Sequence, residues 1–184
     1  TMEEGKPFTD VEIIDAHVHI IETNDITVSS HPIKNGDYHG IVAAMDKVGI
    51  NQSIISTWEG LQTDGVAGNN TLVEGMEKYP GRLLGYATVN PLYKEDLDKV
   101  VSYHTEHGFV GLKPYYTFNN YDFLGEKYNE WFSYANEHNL FMLVHCDGTK
   151  TIVDKIRTLA EKYPNISFLM SHSEIAVFKL LDTT

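Results

Sequence analysis

The sequence has a single cysteine, Cys146, in 184 residues. No disulfide forms within such a chain, and a reducing compartment, the cytoplasm, is the expected setting. Long hydrophobic runs are also missing: no stretch approaches the roughly 18 apolar residues that read as a membrane span. The first residues, Thr1-Met2-Glu3-Glu4-Gly5-Lys6-Pro7, are polar and acidic and lack the pattern of a secretory leader. Basic residues are scarce. Fourteen Lys and Arg stand against 26 Asp and Glu, a net charge of −12, which argues against nucleic acid or anionic membrane as a partner because both demand basic patches. With 42% hydrophobic and 11% aromatic residues, the chain is not intrinsically disordered. The expected partner is a small molecule, and a homo-oligomer is compatible with this composition.

What is present is an alternation. Apolar runs rich in Val, Ile, Leu and Phe occupy residues 11–20, 52–57, 83–89, 109–113, 140–145 and 166–171, as buried strands do. Amphipathic stretches with three- and four-residue spacing fill 38–48, 70–79, 95–107, 125–138 and 151–163. Each ends in a polar or basic turn followed by Gly, Asn or Pro, a helix stop. The Gly- and Asn-rich residues 63–70 read as a long loop. Strand–helix–strand alternation predicts a parallel α/β sheet. From His17 to His172 the strand ends recur about every 31 residues, the size of a βαβ unit. Six units fit, whereas a closed eight-unit barrel takes roughly 250 residues. The expectation is one domain over residues 1–184, either a shorter doubly wound sheet or a barrel cut short at its carboxyl end.

The strand ends carry the chemistry. In Asp15-Ala16-His17-Val18-His19 the two histidines project to one face of the first strand, with Asp15 one step deeper. Two such imidazoles reach one metal ion; the competing reading is a polar strand end. Leu143-Val144-His145 and Met170-Ser171-His172 close the fifth and sixth runs in the same way, and Gly111-Leu112-Lys113 closes the fourth. A lysine ending a buried strand is costly unless it is paired, carbamylated or holding an anion. Ligands of parallel α/β folds gather at this rim. Trp58, Glu59, Tyr115 and Tyr116 follow strands two and four and either line a pocket there or cover it. His31, His39, His104, His107 and His138 fall in loops or helix ends and read as solvated or capping residues. Cys146, next to His145, points to the opposite face of the strand and is no nucleophile.

In order along the chain, these motifs resemble the amidohydrolase superfamily, in its amidohydrolase 2 branch of metal-dependent TIM-barrel hydrolases and decarboxylases. Asp15-Ala16-His17-Val18-His19 is joined by residues 79–91 (Tyr79-Pro80-Gly81 through Asn90-Pro91), by Gly108-Phe109-Val110-Gly111-Leu112-Lys113, by Leu143-Val144-His145, and by residues 163–168 leading to His172. The resemblance covers about residues 11–174 and implies a (β/α)₈ barrel of which strands 1–6 are present and 7–8 missing. It implies that His17 and His19 bind a divalent metal, zinc first and manganese or another ion as alternatives, as one or two ions, with His145 as third ligand. His172 binds a second metal or polarises the substrate carbonyl. Lys113 stands where some binuclear relatives carry a carbamylated lysine, or contacts substrate. The general-base aspartate of strand 8 has no counterpart, since neither Asp147 nor Asp182 stands in its position, and Ser173-Glu174 follows His172 where relatives often have Gly. The implied function is a metal-dependent hydrolase cleaving a C–N or C–O bond of a small molecule through metal-activated water. Non-oxidative decarboxylation on the same site, or a non-catalytic scaffold, are the alternatives. A nuclease-like relative fits less well, because that group favours a carboxylate where Lys113 stands.

Overall fold

Each apolar run becomes a strand: β1 (Ile14–Ile20), β2 (Gln52–Thr57), β3 (Leu83–Val89), β4 (Gly111–Pro114), β5 (Phe141–His145) and β6 (Ser167–Ser171). The structure, a computed structural model, describes residues 10–21, 35–93, 96–116, 120–146 and 148–172. Its helices are α1 (Tyr38–Val48), α2 (Trp58–Gln62), α3 (Gly65–Lys78), α4 (Asp96–His107), α5 (Asn129–Glu137) and α6 (Lys150–Lys162), with a 3₁₀ turn at Glu126–Tyr128 leading into α5. The stop signals act through backbone conformation. Gly49 takes φ 84° and donates its N–H to the Met45 carbonyl, while Gly108 takes φ 72° directly after α4 and Asn139 takes φ 55° two residues beyond the end of α5. Left-handed geometry at these positions suits Gly and Asn.

All strand pairs are parallel, and the spatial order is β1-β2-β3-β4-β5-β6. A doubly wound sheet reverses direction at a switch point. Here every strand adds on the same side of the last, as in a barrel. The sheet also curls. Tyr86 on β3 donates its hydroxyl across to the Ala16 carbonyl on β1, 3.1 Å away. Ile54, Tyr86 and Leu143, from β2, β3 and β5, pack into one inner cluster with Ala16, Leu84, Val110 and Leu169 against it. Residues on non-adjacent strands meet this way only across a concave face. The convex face carries the larger core, where Ile55, Ala87, Leu112, Met142 and Val144 meet apolar positions of the helices such as Leu72 and Ile156. The six units form an arc of a (β/α)₈ barrel.

One expectation is corrected. Residues 63–70 are not a long loop: α3 starts at Gly65, directly after the short α2. Asp64 caps α3 by accepting from the amides of Val66 and Ala67, both at 3.0 Å. The glycines that suggested a loop are there for close packing. A Cβ on Gly68 would sit 2.2 Å from Thr57 Oγ1 and 2.4 Å from the Gly60 nitrogen. Neighbouring Asn69, buried, clamps the end of β3: its side chain donates to the Thr88 carbonyl and accepts from the Thr88 amide and hydroxyl. Helix α3 is thus docked on the strand ends by absence of side chains at one position and by three hydrogen bonds at the next. Gly68→Ala is expected to destabilise the protein by about 1–3 kcal/mol, the usual cost of overpacking, read as a lower midpoint in urea with unchanged m-value; an unchanged midpoint would show that the α3 contact is not tight.

Candidate functional site

The carboxyl ends of the strands converge on one cavity of about 810 Å³. Its wall includes His17, His19, His145, His172, Lys113, Trp58 and Tyr115, so the predicted site residues share one space. The four imidazoles form a chain of edge contacts. Ring centroids are 4.9 Å apart for His17–His19, 5.2 Å for His17–His172 and 5.0 Å for His145–His172. Trp58 stacks its edge on His19 at 5.4 Å and Tyr115 on His145 at 5.2 Å.

Local backbone features aim these rings. Between Asp15 and Val18 the β1–β2 register slips, with two residues of β1, Ala16 and His17, opposing one of β2, Ile54. Such a bulge re-aims side chains beside functional sites. Asp15 serves the bulge: its carboxylate accepts the His17 backbone N–H at 3.1 Å. The simple alternation that put Asp15 on the histidine face is therefore interrupted at His17. On β6, Ser171 is the register partner of His145 and holds the β5 edge by donating to the Val144 carbonyl. His172 comes one residue later, where strand alternation alone would point it away. It takes φ 58°, a conformation costing roughly 1–2 kcal/mol in a non-glycine residue, and this turn accompanies its ring contacts with His17 and His145.

The electrostatics favour neutral imidazoles at His17 and His19. Burial, then the Lys113 charge and His172 and His145, bring the His17 pKa down to about 4. Burial, Lys113, His17 and His172 bring His19 down to about 3, against a smaller opposing effect of a backbone hydrogen bond at Ser56. The Ser56 hydroxyl lies 3.0 Å from His19 Nδ1; where Nδ1–H donates to it, the His19 Nε2 lone pair faces His17 Nε2 at 3.1 Å. Lys113 is 1% exposed and has no hydrogen-bond partner at Nζ among the described residues. Burial lowers its pKa to about 8, so it stays mostly charged at neutral pH.

The donor set fits a divalent ion in part. His17 Nε2 and His19 Nε2 are 3.1 Å apart, close to the roughly 3.3 Å between two nitrogens at 2.0–2.1 Å on a tetrahedral zinc. Among the described residues no three His, Cys, Asp or Glu side chains stand in coordinating geometry together. A complete ligand set therefore needs a rotation of His145 or His172 toward the ready pair. Imidazole donors without thiolates suit a borderline ion such as zinc.

Other expectations sort by position. Trp58 and Tyr115 line the cavity; Glu59 and Tyr116 do not, and Tyr116 instead donates its hydroxyl to the His145 carbonyl at 2.8 Å. Cys146 is buried in the convex core. His39 bonds Tyr79, and His104 bonds Tyr134 beside His138, away from the cavity. His107 stands beside the Tyr103 ring. His31, Asp147, Ser173, Glu174 and Asp182 lie outside the described residues. Sequence reasoning missed Ser56, whose role shows only once the register pairs it with His19, and the apolar wall formed by Ile21, Ile41, Ala43 and Ala44.

The two depressed histidines set a pH dependence. Unfolded, each titrates near 6.5; folded, near 4 and 3. The unfolded state binds more protons across that window, so stability is full above pH 6.5 and is lost as pH falls toward 4. In chelator-treated protein the urea midpoint is expected to drop between pH 6.5 and 4.5, and less so in His17→Asn/His19→Asn; parallel curves for the two proteins would contradict the buried neutral pair.

Comparison with known proteins agrees with the fold. No curated protein sequence matches the chain. Among solved structures, it is similar to a 5-carboxyvanillate decarboxylase from Novosphingobium aromaticivorans, complexed with manganese and a nitrobenzoic acid (TM-score 0.71, 16% identity, covering 88% of this chain and 65% of that one). It is also similar to a probable 2-pyrone-4,6-dicarboxylic acid hydrolase from Acinetobacter baumannii with citric acid bound (TM-score 0.65, 17% identity, 87% and 58%). A third is 4-oxalomesaconate hydratase from Rhodopseudomonas palustris (TM-score 0.60, 16% identity, 87% and 62%). At such identities the likeness is one of fold, and the chain spans 58 to 65% of the length of these three proteins. Residues 14–176 match the family profile described as amidohydrolase. The profile takes in every strand and all four site histidines, and the chain belongs to the amidohydrolase family, in its amidohydrolase 2 branch.

Proposed function

We propose that the protein is a metal-dependent hydrolase acting on a C–N or C–O bond of a small molecule. The observation that carries this reading is the 3.1 Å separation of two neutral imidazole nitrogens at the end of β1. His17 and His19 hold the ion, zinc in the first place and manganese as in the decarboxylase complex as the alternative, and His145 is the third ligand. Bound there, a divalent ion supplies Lewis acidity, polarising a substrate oxygen and making water acidic enough to attack near neutral pH.

The chain's own residues do the rest. Ser56, 3.0 Å from His19 Nδ1, orients the ring when its hydroxyl accepts from Nδ1–H, as outer hydrogen bonds do at metal sites. His172, held by its left-handed backbone between His17 and His145, donates to the substrate carbonyl or takes a second ion. Trp58 and the apolar wall keep water from the rest of the substrate, which strengthens every charge interaction inside. Lys113 attracts an anionic group of the substrate.

A second reading, non-oxidative decarboxylation, is favoured by one observation: beside the histidines the cavity is lined by the apolar side chains of Ile21, Ile41, Ala43, Ala44 and Trp58. An apolar bed suits the loss of a carboxylate as uncharged carbon dioxide. The setting we propose is cytoplasmic, with a small-molecule partner; no described helix is long and apolar enough to cross a membrane.

Metal content and products test the proposal. Purified protein reconstituted with zinc or manganese is expected to retain divalent ion after gel filtration, and His17→Ala/His19→Ala to lose it. Wild type that retains none would overturn the reading. With a panel of small amides, esters, lactones and aromatic acids, release of amine, alcohol or acid supports hydrolysis, and release of carbon dioxide supports the second reading.

A further inference from the structure

A second histidine pair lies outside the strand-end cavity. His104 is in the last turn of α4, and His138 comes directly after α5. Each helix leads back to the start of the next strand. The pair therefore stands on the amino-terminal side of the sheet, opposite the side that carries His17 and His19. The fold itself does not call for histidine there. The chain reversals after α4 and α5 already have Gly108 and Asn139 in left-handed conformation. A charged imidazole would suit the negative end of a helix, but burial and the neighbouring His138 favour the neutral form of His104.

Tyr134 of α5 completes the cluster. Ring centroids are 5.1 Å apart for His104–His138, 5.8 Å for His104–Tyr134 and 4.3 Å for Tyr134–His138. The histidine spacing matches that of the strand-end pair, 4.9 Å for His17–His19, whose facing nitrogens are 3.1 Å apart. The Tyr134 hydroxyl lies 2.8 Å from His104 Nδ1, much as Ser56 lies beside His19. Where Nδ1–H donates to that hydroxyl, Nε2 is the nitrogen open to an ion, the usual arrangement around a metal-bound imidazole. Burial, with the Glu137 carboxylate, pushes the Tyr134 hydroxyl up, so it stays neutral. Glu137 also sets a negative charge near the pair, which favours a cation. His138 is exposed, so its ring is free to turn toward His104.

We propose that His104 and His138 form a peripheral site for a transition-metal ion, copper or zinc, oriented by Tyr134, and that the ion cross-links the ends of α4 and α5. Imidazole donors select these ions over magnesium and calcium, which take oxygen ligands. Among the described residues no third His, Cys, Asp or Glu joins the two, so water fills the remaining positions. The ion then exchanges readily and is lost on gel filtration, unlike one held by three protein ligands. Its effect is on the fold rather than on turnover. It sits at the barrel face that serves stability, and an ion bound only by the folded chain stabilises it by mass action.

Copper(II) is the probe, because it binds such donors most tightly among the divalent ions and its paramagnetic resonance spectrum counts the bound nitrogens. The full chain carrying His17→Ala/His19→Ala is freed of metal with chelator and titrated. One copper ion with two-nitrogen coordination is expected. Adding His138→Asn is expected to weaken binding by about tenfold or more and to leave one nitrogen. Adding Tyr134→Phe, which keeps both imidazoles and removes the outer hydrogen bond, is expected to weaken it about ten- to hundredfold. His39→Asn removes another histidine that bonds a tyrosine and is expected to change nothing. In the same background zinc is expected to raise the thermal midpoint, and His138→Asn to cancel the rise. With His17 and His19 intact, wild type is expected to bind one copper ion more than His138→Asn, whether or not the strand-end site takes metal and whether or not the double alanine variant folds. Two-nitrogen copper that survives His104→Asn/His138→Asn overturns the site, as do equal stoichiometries for wild type and His138→Asn. Unchanged affinity in Tyr134→Phe overturns the orienting role of Tyr134, and a zinc-induced rise that survives His138→Asn overturns the cross-link.

Discussion

His17 on β1 and His172 after β6 touch edge to edge at 5.2 Å, although five strand spacings separate their strands. In a flat sheet that is about 24 Å. The curl of the parallel sheet is the constraint from which the site follows. It requires that each strand be added beside its predecessor, which the order β1 to β6 satisfies, and that the concave face be filled, which Ile54, Tyr86 and Leu143 do. Tyr86 contributes twice, by bulk and by its hydrogen bond to Ala16; burial pushes its hydroxyl pKa up, so it remains a donor.

Once the strand ends are together, the local charge becomes the question. Four imidazoles and one lysine face the cavity, and no carboxylate lines it among the described residues. Burial and Lys113 keep His17 and His19 neutral, so the pair offers lone pairs rather than charge. Adding a divalent ion beside Lys113 makes the cavity more positive still. A cavity of that charge favours anions over cations. The acidic surface of the chain, at −12 overall, gives the opposite sign outside and makes the cavity a local exception.

The histidine quartet and Lys113 were legible in the sequence because each ends an apolar run, and runs in a parallel array end on one rim. The boundaries of β2 and β3 and of α1 were legible for the same reason: periodicity and Gly stops act locally. What was not legible depends on pairing between distant segments. Ser56 acquires a role only through its register with His19. The bulge at His17 is visible only against β2. The orientation of His172 rests on a backbone dihedral that no side-chain pattern encodes. Residues 63–70 looked like a loop because Gly and Asn usually break helices; here Gly68 and Asn69 are selected by the surface of β3 and α2 against which α3 packs.

The histidines at the strand ends are proposed to form one metal centre. X-ray absorption at the zinc edge of the reconstituted full chain tests it most directly. The account predicts a first shell at the zinc–imidazole distance of roughly 2.0–2.1 Å, with the outer-shell scattering of two or more imidazole rings, reduced in His17→Ala/His19→Ala. A shell of oxygen alone, with no imidazole scattering, would contradict it.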